Sequence, residues 1–289
     1  MDTRSRTDAQ AVTPPALGGE AAARAAGPFR QAAEMFCKNR AAVLGLALLC
    51  IIVAVSLAGP FFLSADPFEI AGAPMTPPLE DGHLLGTDYV GRDILTGIVH
   101  GGRATLAVAL AATLCNLLIG LSVGALAGYY QGAPNTLLMK ITEFFQVLPP
   151  LLFAMVLVSL FSPSIGMIAV AIGLVTWPSL ARLTRGEFMR IRELEYVTAA
   201  QLIGAGHCRV ITRVMLPNAL PPIIVNATLN VGSAVLYEAG LSFLGLGDPN
   251  VMSWGLLIGA SRDYIFDAWW AVTLPGLVIF LTSLSICLV

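Results

Sequence analysis

Apolar residues occur along this chain in blocks longer than a soluble helix requires. Residues 41–63 form 23 consecutive uncharged positions, and 104–130 form 27 in which Asn116 is the one strongly polar side chain. Residues 144–181 run 38 positions without a charge. That run is interrupted at Ser162-Pro163-Ser164-Ile165-Gly166, a turn sequence that divides it in two. Residues 214–237 and 268–289 add blocks of 24 and 22. A bilayer span takes about 20 apolar residues, so the pattern predicts an all-α membrane protein with six transmembrane helices. The helices of a soluble core reach neither this length nor this number.

The polar stretches between the blocks carry a second pattern. Residues 64–102 hold six acidic residues, and Pro67, Pro74, Pro77 and Pro78 make the first half loop-like. From Tyr89 onward, Val90, Ile94, Leu95, Ile98 and Val99 recur at roughly helical spacing, which predicts a short amphipathic helix at the outer interface. In 182–220, Leu194, Val197, Leu202 and Ile203 form one apolar stripe, Gly204 and Gly206 break it, and Val210, Ile211 and Val214 form another before Pro217. The expected order is helix, glycine turn, helix, proline, span. Two readings stand side by side: helices lying on lipid, or a docking surface for a cytoplasmic partner. Trp254, Tyr264, Phe266, Trp269 and Trp270 near the last span fit interface anchoring.

Charge then orients the spans. Thirteen of the 16 basic residues fall before the first block, at Lys140, or in 182–213; Arg92 and Arg262 lie on the other side, with Arg103 at a border. Positive residues favour the cytoplasm. Residues 1–40 therefore read as a cytoplasmic tail, 41–63 as a retained transmembrane anchor, 64–102 as an external loop with an amphipathic segment, and 103–289 as the core, with its cytoplasmic loop at 182–220. Charged residues are 12 % of the chain against 56 % apolar, and mean hydropathy is +0.79. This excludes a disordered chain, a disulfide scaffold and a basic nucleic-acid-binding domain. No two of the five cysteines form a Cys-x-x-Cys pair, and Cys50, Cys115 and Cys287, set in apolar runs, read as small core residues. The three histidines are scattered outside the expected spans, with no metal-ligand spacing. No Gly-x-x-x-x-Gly-Lys-Ser/Thr occurs and no catalytic triad is recognisable, so the chain is not expected to be an enzyme.

Thr198-Ala199-Ala200, three residues, Gly204, nine residues, Val214, one residue, Leu216-Pro217 resembles the Glu-Ala-Ala loop of ABC importer permeases. Thr198 stands where that family has Glu, and Val214 where it has Ile; Glu195, one turn earlier, is a candidate replacement for the carboxylate. The segment Leu85-Gly86-Thr87-Asp88-Tyr89-Val90-Gly91-Arg92-Asp93 is similar to the stretch before the second span of dipeptide, oligopeptide and nickel importers. Glu238-Ala239-Gly240-Leu241-Ser242-Phe243-Leu244-Gly245-Leu246-Gly247 with Trp254-Gly255 looks like the exit of their fifth span. Together they point to the C-type inner-membrane subunit. Its members continue past the last span into a short tail, so an end at Val289 suggests a truncated carboxyl terminus.

The resemblance implies a type I ABC importer permease fold in a bacterial inner membrane. It implies a second homologous permease, two ATPase subunits that bind ATP and magnesium, and an extracytoplasmic solute-binding protein as partners. No cofactor is expected in this chain itself. Glu195, Thr198, Ala199, Ala200, Gly204, Val214, Leu216 and Pro217 would form the ATPase-coupling loop. The solute class is a dipeptide, oligopeptide, glutathione-like peptide or nickel chelate. Glu238 is the sole acid in 214–247. It reads either as an interface carboxylate paired with an arginine, or as an outer gate or path residue with Asn226 and Asn230, which share a helix face at i, i+4. The competing class is a self-contained secondary transporter or channel, which would carry paired intramembrane charges or inverted repeats.

Overall fold

The computed structural model describes residues 36–289. Residues 1–35, most of the expected cytoplasmic tail, lie outside them. The chain divides into two units, Met1–Val43 and Leu44–Val289, and all packing described below is within the second. The helices are α1 (Arg40–Phe62), α2 (Ile94–Tyr129), α3 (Ala133–Val147), α4 (Pro150–Leu160), α5 (Ile165–Arg192), α6 (Glu195–Leu202), α7 (His207–Leu246), α8 (Trp254–Ser261) and α9 (Trp269–Leu288). Five of them, α1, α2, α5, α7 and α9, are long and apolar enough to cross a membrane, and α3 with α4 forms a sixth candidate bent by 88°.

That bend corrects the expected straight third span. Leu148 and Pro149 are extended, with ψ of 131° and 119°. Proline pushes the residue before it out of the helical region and supplies no N–H, so Leu148-Pro149-Pro150 ends one helix and starts another. Helix α3 also begins at Ala133, ahead of the uncharged block that starts at residue 144, so Lys140 lies on a helix and not in the short connection expected after the second span.

The short interfacial helix expected from Tyr89 is corrected too. Asp88 instead closes a turn, its Oδ1 accepting the backbone N–H groups of Val90, Gly91 and Arg92, each at 2.9 Å. Asp93 then caps α2 by accepting Thr96 N–H at 2.8 Å. The apolar positions Ile94, Ile98 and Val99 belong to a 36-residue helix about 54 Å long that continues into the second span. His100 lies on it, with Nε2 2.8 Å from the Leu63 carbonyl oxygen. The turn is tied down where Trp270 Nε1 donates to Thr87 O at 3.1 Å and where Tyr89 stacks on Tyr264 at 4.9 Å.

Helices α2 and α5 form the centre of the bundle, and small residues bring them together. Gly120, Gly124 and Gly128 recur every fourth residue on α2. A Cβ on Gly120 would sit 2.9 Å from Leu180 Cβ, and one on Gly128 would sit 2.5 Å from Phe188 Cβ. At Gly124 it would run into the Ala181 carbonyl. Close backbone approach of this kind replaces the hydrophobic driving force that lipid removes. Leu110, Leu114 and Leu118 are exposed on the same helix. Cys50 and Cys287 are exposed as well and Cys115 is half-buried, which corrects their expected place in the core. In a bilayer the outside of the bundle is also apolar, so hydrophobicity alone does not select the inside.

Candidate functional site

The link between α5 and α7 is a built structure. Helix α6 ends in Gly204 at φ +86°. Gly204 N–H donates to Gln201 O at 3.0 Å, and Ala205 N–H donates to Ala200 O at 3.1 Å. This pair of bonds is a Schellman cap, which satisfies the last helix carbonyls and needs a left-handed residue at the turn. The expected single apolar stripe divides here, and this is a correction. Val197 is fully buried with Tyr129, Phe188, Ile191, Val210 and Met215, whereas Leu202 and Ile203 are 83 % and 86 % exposed at the turn. Glu195, Thr198 and Ala199 are exposed beside them and Ala200 is half-buried.

The second short helix is not a separate element. From His207 it runs directly into the fifth span through a π-helical turn over Val210–Met215, where Leu216 N–H donates to Ile211 O. Pro217 has no N–H to continue the ladder, and a wider turn absorbs that loss. Val214 and Leu216 pack against the cluster that holds Val197, and Pro217 is exposed. Tyr129 OH lies 2.7 Å from His207 Nδ1, which joins the start of α7 to the end of α2. Val197 thus packs α6 against α2, α5 and α7 together.

Within the membrane-spanning region, a cavity of about 300 Å³ lies beside the α3–α4 break, lined by Gln146, Thr176, Ser179, Asn230, Ser233 and Tyr237 among others. Irregular backbone at membrane depth is tolerated where it is buried or lines a polar cavity. Asn230 Nδ2 donates to Asn226 Oδ1 at 2.8 Å, so the expected pair on one helix face does meet.

Glu238 does not line this cavity. It is 2 % exposed, with Oε2 accepting from Thr105 Oγ1 at 3.0 Å and Oε1 from Ser242 Oγ at 2.9 Å. Thr105 Oγ1 in turn accepts Trp254 N–H at 3.2 Å, and Trp254 Nε1 donates to Ile98 O at 2.8 Å. Among the described residues no arginine pairs with Glu238, which corrects the expected ion pair, and two helical turns separate it from Asn230. It joins α7, α2 and α8 through hydroxyls. Trp254-Gly255 completes the joint, since a Cβ on Gly255 would lie 2.7 Å from Ala239 Cα. Sequence reasoning missed this network because Thr105 lies on another helix, 133 positions from Glu238. Among the described residues no cluster of His, Cys, Asp or Glu could hold a metal ion.

Known proteins resemble this chain over most of its length. Residues 120–289 match the family described as binding-protein-dependent transport system inner membrane component, and 27–78 match the N-terminal transmembrane domain of oligopeptide transport permease C. The chain is 39 % identical over 266 residues to the di/tripeptide transport system permease protein DppC of Pseudomonas aeruginosa, covering 90 % of this chain and 88 % of that protein. It is 36 % identical over 259 residues to the dipeptide transport system permease protein DppC of Haemophilus influenzae, covering 87 % and 88 %. An inward-facing structure of the MetNI methionine ABC transporter shares the fold at a TM-score of 0.52 and 21 % identity, over 64 % of this chain and 91 % of that one. The chain belongs to the binding-protein-dependent transport system inner membrane components, as an ABC transporter permease of the type I fold.

Proposed function

We propose that this permease is one of two homologous membrane subunits of an ATP-driven importer of short peptides, and that 195–205 is its contact with a separate ATPase. The peptide class follows from relatives named for di- and tripeptide transport. The observation that carries the coupling role is the exposed Leu202-Ile203 pair on a capped helix anchored by Val197. Large apolar side chains held rigidly at a polar, arginine-rich end suit a protein groove.

In this reading the ATPases bind ATP and magnesium and close on each other, carrying α6 with them. Val197 passes the movement into the bundle, and the two permeases rock between packings of similar energy while ATP supplies the bias. An external binding protein delivers the solute. Asn230, Ser233 and Tyr237 contribute an uncharged polar face to the path, suited to peptide amides. The amino terminus and 182–213 face the cytoplasm.

Co-expression with a cognate ATPase tests the docking. Cysteine at Ile203 should cross-link to the ATPase in detergent, and cysteine at Glu80 should be labelled from outside intact cells while cysteine at Glu193 is not. Failure to cross-link with normal ATPase association, or the reverse labelling pattern, contradicts the reading.

A further inference from the structure

At the end of α2 remote from the glycine-turn loop, an open cavity of about 520 Å³ is lined by Asp66, Phe68, His100, Arg103, Asn250 and Met252 among others. This volume is within the ~300–1,000 Å³ typical of small-ligand sites. Two of the lining side chains carry opposite charges, and each is held in place by backbone. Arg103 Nε donates to Ser56 O at 3.1 Å, Nη2 donates to Leu57 O, and the guanidinium lies over the Phe61 ring at 5.2 Å. Asp66 Oδ1 accepts Phe68 N–H at 2.8 Å.

The two charges do not neutralise each other. The ion pairs among the described residues join His83 with Asp93, Arg190 with Glu187, and Arg262 with Asp263; neither Asp66 nor Arg103 takes part in one. Arg103 keeps Nη1 and Asp66 keeps Oδ2 free of hydrogen bonds within the described residues. An exposed carboxylate and an exposed guanidinium, each tied to backbone and facing one cavity, suit a ligand carrying both opposite charges. Charge-assisted hydrogen bonds to its two ends would orient it.

We infer that this cavity is an entrance subsite for a zwitterionic short peptide, with the peptide ammonium at Asp66 and its carboxylate at Arg103. The inference rests on the reading of the chain as a peptide permease. Asn250 lines the same cavity, with a side-chain amide available to the peptide backbone. The site is open, which suits a step that must bind and then release.

The test uses the full complex with its binding protein saturated, and three probes: Ala-Ala, N-acetyl-Ala-Ala without the ammonium, and Ala-Ala amide without the carboxylate. Asp66→Asn is nearly isosteric on an exposed turn. It should lower Ala-Ala uptake about tenfold and leave N-acetyl-Ala-Ala unchanged, so that the preference for a free amino terminus collapses. Arg103→Gln should erase the preference for Ala-Ala over its amide. Arg103 also holds α1, so the Asp66→Asn arm decides the matter if Arg103→Gln does not assemble. An Asp66→Asn complex with the wild-type ratio, or with equal losses on all three probes, overturns the inference and leaves the peptide-permease reading intact. A wild-type complex that imports no dipeptide overturns both.

Discussion

Replacing Gly204 with valine perturbs one backbone angle and little else. The residue sits at φ +86°, and a Cβ built there meets nothing within 4 Å. The cost is therefore conformational rather than steric. An L-residue in the left-handed region costs about 1–2 kcal/mol, and a β-branched one raises this toward 3. Strain of about 2 kcal/mol would reduce the population of the native turn by up to about 30-fold, and apparent ATPase affinity falls in proportion. Gly204→Val should insert normally, because the turn lies outside the spans. It should abolish peptide uptake, with the ATPase dissociated or hydrolysing ATP without transport. The series Asn, Ala, Val separates strain from bulk: Asn is larger than Ala but tolerates the left-handed region, so uptake should fall in that order. Thr198→Ala should have less effect than Gly204→Val. Uptake and ATPase co-purification, measured at matched membrane abundance, decide the point. Equal loss for Asn and Val, or wild-type import by Gly204→Val, would refute the reasoning.

Leu202→Asp with Ile203→Asp should leave thermal stability of the isolated permease within about 0.5 kcal/mol, since both side chains are exposed, while ATPase co-purification is lost; retained co-purification would remove them from the interface. Gly124→Val should reduce folded permease in the membrane sharply, because its Cβ meets the Ala181 backbone; normal yield would mean α2 and α5 can separate. Glu238→Ala leaves the Thr105 and Ser242 hydroxyls without their acceptor and should cost about 2–4 kcal/mol, whereas Glu238→Gln should assemble and transport nearly normally. Altered solute preference in a well-assembled Glu238→Gln protein would instead give Glu238 a path role.

The spans and the loop could be read from sequence because each rests on local signals. Uncharged runs mark the helices, and the Gly204 spacing marks a turn that only a left-handed residue makes comfortably. The 88° break at Leu148-Pro149 escaped because the apolar run is continuous across it, although the adjacent prolines carried the signal. The apolar positions from Tyr89 read as a separate short helix because Val90 extends their spacing, and only the fold shows that Asp88 closes a turn before α2 begins at Ile94. The Glu238 network joins residues more than 130 positions apart, and no periodicity reports such a contact. Leu202 and Ile203 fit an inward stripe by spacing, and their exposure depends on where the Schellman cap turns the chain.

The most direct measurement of the central claim is labelled dipeptide uptake into proteoliposomes, with this chain alone and with its second permease, ATPases and binding protein. The account predicts no accumulation by the chain alone with or without an ion gradient, and ATP-dependent accumulation by the full assembly that is lost in Gly204→Val. Gradient-driven or passive uptake by the chain alone would contradict it and assign the protein to the self-contained transporters or channels.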